Sequence, residues 1–444
     1  MRDILLLGFT ALCLAAALRH PFAGLLTWAW FTLLTPHQAA YGVYGIPLNV
    51  VIAGVTVGAY ALSGEIAKFR FDPITSLIVL FAGWLTIAQA FSLDPANSAP
   101  YYDRFIKTLL FIVLCAQMAA DKLRFNALVW TVVACIGFLD AKGSLFTFVT
   151  LGQYRVQGLP NTVLEDNDHF GIAVAAILPL ILYLRAEAAR PTVRQGLLVL
   201  FGLSIVAIIG TQSRGAFLAL IAFSGYFWIR AKHKFVILAG LALVMIPTVA
   251  FMPAKWTERM ATIGEATEDA SFMGRVDAWV INYKLAADHP LTGAGRRNSY
   301  QKEIAQSVDI NRAERAKAAH SIYFEVLGGS GFVGLAIYLS LFAAAFFAAW
   351  RIYLSRTDER IAPWKWRFAY YAQMSILVFA VGGASVSLEM WDGYLIVIAL
   401  VAALSKMTVK ERKPEGYALA AARLRNWRGR KRLQQALEEV AGGA

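Results

Sequence analysis

Successive apolar runs that read as crossings of about 30 Å of hydrocarbon constrain this chain more than any motif it carries. They fall at 46–63, 74–91, 105–120, 125–139, 170–184, 196–210, 216–229, 235–251, 322–350, 368–386 and 394–404. Lipid offers no partner for open backbone groups, so each run is expected as a helix. Two more runs, 4–18 and 22–34, each short for a span, flank the break Arg19-His20-Pro21 and read either as two tilted helices or as one broken pass. The expected fold is an all-α polytopic membrane protein with 12 or 13 transmembrane helices. A signal peptide over residues 1–18 is the competing reading of the start, since Arg2 precedes an apolar core. Asp3 weakens that basic start, and no small-residue cleavage site separates this run from the next. Composition agrees with the membrane class: 58% hydrophobic and 16% charged residues, with a mean hydropathy of +0.54, lie outside the range of soluble domains.

Short-loop Lys and Arg accumulate on the cytoplasmic side of a membrane. Arg185, Arg190 and Arg194 form one basic loop, Arg230, Lys232 and Lys234 a second, and Arg351, Arg356, Arg360, Lys365 and Arg367 a third. If the crossings between them pair as hairpins, residues 153–168, 211–215 and 254–319 share the opposite, outer face, and the C-terminus is cytoplasmic. Four regions follow: N-terminal transmembrane helices over 1–253, a large, partly helical outer segment over 254–319, C-terminal transmembrane helices over 320–405, and a basic tail over 406–444. The net charge of +13 sits largely in inner loops and tail, so a membrane surface is expected as the partner and nucleic acid is not. In the tail, Arg423, Arg425, Arg428, Arg430, Lys431 and Arg432 interleave with Tyr417, Leu424, Trp427, Leu433 and Leu437, the pattern of an amphipathic stretch on anionic lipid. Partner binding is the other reading of that stretch. Cys13, Cys115 and Cys135 fall inside apolar runs and form no disulfide framework or zinc spacing.

Chemistry-bearing residue types gather on the outer face. Thr211-Gln212-Ser213-Arg214-Gly215 lies at a hairpin apex, with Leu218 one turn beyond Arg214. An arginine at that depth suits a phosphate, and snorkelling to water is the bland alternative. Gly274-Arg275 with Trp279 opens a helical stretch that ends at His289-Pro290-Leu291-Thr292-Gly293-Ala294-Gly295; a surface ion pair with Glu268 or Asp269 would equally explain Arg275. His320-Ser321 stands nine residues before Gly331-Phe332-Val333-Gly334, at the mouth of an apolar run. A histidine there takes a proton near neutral pH, or merely caps the helix. Tyr323 is one turn on, as an acceptor-positioning or belt tyrosine. Within Glu165-Asp166-Asn167-Asp168-His169, Asn167 or Asp168 is a natural N-cap, and Asp166, Asp168 and His169 also suit recognition of sugar hydroxyls. Arg155, in Gln153-Tyr154-Arg155-Val156-Gln157-Gly158, is a further phosphate candidate or an ordinary loop arginine. Asp140 and Lys142 line a cavity or mark an early helix end; two residues apart, they do not face each other.

The strings Ser213-Arg214-Gly215, Gly274-Arg275 with Trp279, His289 to Gly295, and His320-Ser321 with Gly331 and Gly334 resemble, in order, the motifs of the O-antigen ligase superfamily. That superfamily includes lipopolysaccharide O-antigen ligases, O-antigen polymerases and protein O-oligosaccharyltransferases. The opening Met1-Arg2-Asp3-Ile4-Leu5-Leu6-Leu7, Arg19-His20-Pro21-Phe22 and Thr35-Pro36-His37 resemble a narrower branch, the O-glycosylation ligases associated with exosortase A systems.

The resemblance implies a GT-C-like membrane glycosyltransferase of the bacterial inner membrane, with its site facing the periplasm. A glycan would pass from undecaprenyl diphosphate to an acceptor hydroxyl on a lipid A core, a protein or a polysaccharide, with inversion and without metal or cofactor. In that reading Arg214, Arg275 and Arg155 hold the diphosphate, His320 is the general base, and Ser213, Tyr323, Asp166, Asp168 and His169 position the substrates. A polymerase with the same donor is the nearest alternative. A lipid-linked glycan flippase or transporter would instead line a central path with charge.

Overall fold

The computed structural model describes residues 2–43, 45–230, 234–235, 242 and 270–412. Outside them lie all but two residues of the run expected at 235–251, residues 254–269 of the outer segment with Glu268 and Asp269, and the basic tail from 413 onward.

The chain opens with α1 (Arg2–Arg19) and α2 (Pro21–Leu34). Pro21 occupies the first turn of α2, where its missing N–H has no helical partner to lose. Phe9 and Trp30 meet edge to face at 5.4 Å although each lies far from the break. The two helices therefore fold back on each other. Next come α3 (Leu48–Leu62), α4 (Pro73–Ala90), α5 (Pro95–Met118) and α6 (Lys122–Val149). Asp72 and Asp121 cap α4 and α6 by accepting backbone N–H groups of the first turn. No early end interrupts α6, which runs through Asp140 and Lys142.

Helix α7 (Asn167–Glu187) is buried on nearly every side, as its unbroken apolar sequence requires. It packs against α6, against α8 (Pro191–Gly210) and α9 (Arg214–Arg230), and against α14 (Pro363–Gly383). Small residues permit this closeness: Gly171 backs onto Ala216 and Thr211, and Gly382 onto Ile172. Residues 270–319 hold α10 (Ala270–Asp288), α11 (Lys302–Val308) and α12 (Ile310–Ala313). Then α13 (Ile322–Leu354) packs against α4, α10, α14 and α15 (Asp392–Arg412).

Five described helices, α4, α6, α7, α8 and α13, are long and apolar enough to cross a membrane. The described residues are predominantly helical and include no strand, as an all-α membrane protein requires. Near the start of α6, Lys122 and Arg367 both pair with Glu187. The far end of α6, the start of α7, the α8–α9 turn and the start of α13 come together instead around the 270–319 segment. The bundle thus has one basic end and one end that gathers the suspected chemistry.

Candidate active site

Two capped helix starts build one side of the site. Asp166, rather than Asn167 or Asp168, is the N-cap of α7, and its carboxylate accepts the Asp168 N–H at 2.8 Å. That leaves Asn167 free to donate to the Thr211 carbonyl at 2.9 Å, tying α7 to the α8–α9 turn. In that turn Gln212 has a left-handed backbone, φ 53°. Its side chain donates to the Gly152 carbonyl at 2.9 Å. Ser213 starts α9, accepting the Ala216 N–H at 3.1 Å. Ser213 is buried, so its hydroxyl serves the helix start. Arg214 is thereby fixed as the first residue of α9, and Gly215 leaves the room that Ser385 occupies.

The opposite wall is α10. Gly274 allows residues 315–317 to lie against the helix, where Lys317 N–H donates to the Gly274 carbonyl at 3.0 Å. One residue on, Arg275 pairs with Asp168 at 3.0 Å. Trp279 donates its indole N–H to the Ala319 carbonyl at 2.6 Å and stacks on Phe324 at 5.3 Å. The tryptophan therefore holds the residue that precedes His320. Arg214, Leu218, Arg275, Trp279 and Ser385 line a common cavity of about 230 Å³. The two spacings read in the sequence, Arg214 to Leu218 and Arg275 to Trp279, place both members of each pair on that cavity by one helical turn.

His320 has a left-handed backbone, φ 43°, a strained conformation for a residue with a side chain. Its ring meets that of His169 edge to face at 6.0 Å. The His320 Nδ1 is buried and has no hydrogen-bond partner among the described residues. Burial first, then the Arg275 charge and His169, push its pKa down to about 4, against the opposing pull of Asp166 and Asp168. His320 is consequently neutral at pH 7, with a lone pair available. His169 is held in one tautomer: Nδ1–H donates to the Val163 carbonyl at 2.8 Å, and Nε2 accepts the Ser387 N–H at 3.4 Å.

The string from His289 to Gly295 and the glycines after His320 do something the sequence did not suggest. Helix α13 is broken at Gly331, with φ 71° and ψ −175°. The loop Pro290–Gly295 docks into that break: Phe332 N–H donates to the Pro290 carbonyl at 2.9 Å and Ala294 N–H to the Gly328 carbonyl at 2.8 Å. A side chain at Gly331 would sit 2.2 Å from the Leu291 carbonyl oxygen, and one at Gly293 2.6 Å from the Gly328 carbonyl. The nine residues between Ser321 and Gly331 thus form a separate half-helix, about 13 Å long, with His320 just before its N-terminus.

A second group of charges escaped the sequence reading altogether. Arg296 pairs with Glu389 at 2.5 Å, both buried, and lies over the Phe105 ring at 4.1 Å. Glu325, on the half-helix, accepts from the Tyr300 hydroxyl and, at 2.9 Å, from the Ser387 hydroxyl. Ser387 therefore joins this carboxylate to His169. Glu325 within an apolar helix was the available signal, since ionisable residues in such segments are rarely idle.

Tyr323 and Arg155 do not line the Arg214 and Arg275 cavity. Tyr323 donates its hydroxyl to the Ala380 carbonyl at 2.6 Å, a tie between α13 and α14. Arg155 lines one cavity with Lys142, and Arg214 and Arg275 share another.

Residues 197–339 match the model of the O-Antigen ligase family. Residues 1–189 match that of a family of unknown function (DUF5935). No curated protein matches the chain. The first match includes Arg214, Arg275 and His320 and supports the O-antigen ligase superfamily, and with it a multi-pass membrane enzyme of the ligase or polymerase type. Lipid-linked glycans and their acceptors are the partners which that superfamily suggests in general.

Proposed function

We propose that this protein is a membrane glycosyltransferase that moves a glycan from undecaprenyl diphosphate to an acceptor hydroxyl at the periplasmic face of a bacterial inner membrane. One observation carries the reading. Two arginines line a single cavity at the mouth of the bundle, and a neutral histidine lies close enough to one of them for its charge to be felt. Arg214 and Arg275 supply forked donors for a diphosphate. Asp168 orients Arg275, and the apolar Leu218, Phe272 and Trp279 suit the first isoprene units.

In the reaction, His320 takes the proton of the acceptor hydroxyl. Its oxygen then forms the new bond to the anomeric carbon from the face opposite the diphosphate, and the bond from that carbon to the diphosphate oxygen breaks. The electron pair leaves with the diphosphate, whose developing charge the arginines offset. The site inverts the anomeric centre and calls on no metal. His169 and Ser387 lie where they would position His320 and the acceptor, and the 270–319 segment covers the site against water. The basic loops support a cytoplasmic C-terminus and an outward-facing site. The N-terminal strings favour the exosortase A-associated branch, and the apolar runs favour 12 or 13 spans.

The test is glycan display in a strain lacking the protein, complemented by wild type, His320→Ala or Arg214→Ala at matched membrane abundance. Loss of transfer with full-length glycan accumulating on undecaprenyl diphosphate identifies a ligase. Accumulation of single repeat units identifies a polymerase, and full activity of both variants refutes the assignment.

A further inference from the structure

We propose that the cavity between α6 and residues 155–160 is a second binding site, taking the phosphate of an anionic membrane lipid. Its volume is about 350 Å³, and its lining includes Lys142, Gly143, Phe146, Arg155, Gln157 and Pro160. It shares no lining residue with the Arg214 and Arg275 cavity and stands apart from the transfer reaction.

Charge is the first argument. Lys142 and Arg155 bring two positive charges to one cavity, and neither has a carboxylate within ion-pairing distance among the described residues. The acid nearest in sequence, Asp140, is fully buried and accepts from the Ser204 hydroxyl, on the α8 side of the helix. The Lys142 Nζ lies over the Phe138 ring at 5.8 Å. Two unneutralised cations at the edge of a bilayer attract an anion.

The second argument is that the loop is anchored. Val156 N–H donates to the Gly210 carbonyl at 2.9 Å, and Gln212 holds the Gly152 carbonyl at 2.9 Å. Val156 packs against Gly143, where an added Cβ would lie 2.7 Å from it. Arg155 is thereby carried next to a fixed residue, over the turn of α6 that bears Lys142.

Depth and wall select a lipid over a soluble anion. Lys142 lies seven residues before the end of α6, about 10 Å along the axis, which is within reach of the phosphate layer for a lysine stem. Trp130 and Phe138, on the bilayer side of Lys142, are exposed on the same helix. A phosphate seated between Lys142 and Arg155 would lay its hydrocarbon chain along that apolar face.

The experiment uses the full chain in detergent, titrated with phosphatidylglycerol and read by native mass spectrometry, with phosphatidylcholine and inorganic phosphate as comparisons. Wild type should retain phosphatidylglycerol at least tenfold better than Lys142→Gln/Arg155→Gln. Lys142→Arg/Arg155→Lys should retain it as wild type does. Should the double glutamine variant fail to fold, Arg155→Gln alone, on the exposed loop, should still weaken retention severalfold. Equal retention by wild type and the glutamine variants would mean that both cations simply reach water. Equal binding of phosphatidylcholine, or full displacement by millimolar inorganic phosphate, would overturn the lipid assignment.

Discussion

At the scale of single residues, the ionisation of His320 ties the site's geometry to a measurable rate. Burial, Arg275 and His169 together hold its pKa at about 4. As the proposed general base, His320 works deprotonated, so activity should be present above that pKa and lost as pH falls through it. The acid limb of kcat/KM, which reports the free enzyme, should therefore lie near pH 4. A bound diphosphate offsets Arg275 and adds negative charge beside the imidazole, which raises the pKa. The acid limb of kcat should accordingly lie at higher pH than that of kcat/KM, and coincident limbs in a pH–rate series would argue against a diphosphate beside His320. Trp279→Phe isolates a second residue-scale effect. It keeps the stack on Phe324 but removes the indole N–H that holds the Ala319 carbonyl. Stability should fall by only about 1 kcal/mol in thermal unfolding. Turnover should drop while KM for the donor holds, because the arginines are untouched and only the approach of His320 loosens.

At the scale of elements, the break in α13 decides where His320 stands. In a continuous helix through residue 331, Phe332 N–H would take the Gly328 carbonyl that now accepts from Ala294, leaving no groove for Pro290–Gly295 and no partner for Ala294. Gly331→Ala meets both a left-handed φ and the Leu291 carbonyl, so it should cost more than about 2 kcal/mol. Gly202→Ala on α8, where nothing lies within 4 Å of the added carbon, should be close to neutral in the same melting series. The helices were legible because a lipid solvent leaves one option for an apolar run, and the described runs are helices. Arg214, Arg275 and His320 were legible because charge is conspicuous in such a chain. The role of the glycines was not, since a glycine string looks the same whether it faces a substrate or another backbone. Asp166 as the cap, in place of its neighbours, is likewise a matter of where the first helical turn begins, which composition does not decide.

At the scale of the whole molecule, the 270–319 segment must stay seated for the cavity to have its Arg275 wall. The ties that seat it include Arg275 to Asp168, the docked loop in α13, Tyr300 to Glu325, Asn298 and Gln301 to residues 92–97, and Arg296 to Glu389. The last ties the segment to the α14–α15 connection, and its environment makes its energetics distinctive. Burial depresses the Arg296 pKa more than Glu389 and Glu325 raise it. The guanidinium Nε and Nη1 and the Glu389 Oε2 have no hydrogen-bond partners among the described residues. Such a pair is weak evidence of net stabilisation, because each charge has given up its water. Removing one partner is another matter, since the survivor is left buried and alone. Arg296→Met and Glu389→Leu should each destabilise by about 3–5 kcal/mol, whereas the double variant should recover most of that loss. Thermal unfolding of the four proteins in one detergent measures the coupling directly. If each single variant lost little and the double simply summed them, the pair would be solvated and the segment would be held by its other ties. If the coupling is as large as expected, the single variants should also lose transfer through an unseated Arg275, and the double variant should regain it together with its stability.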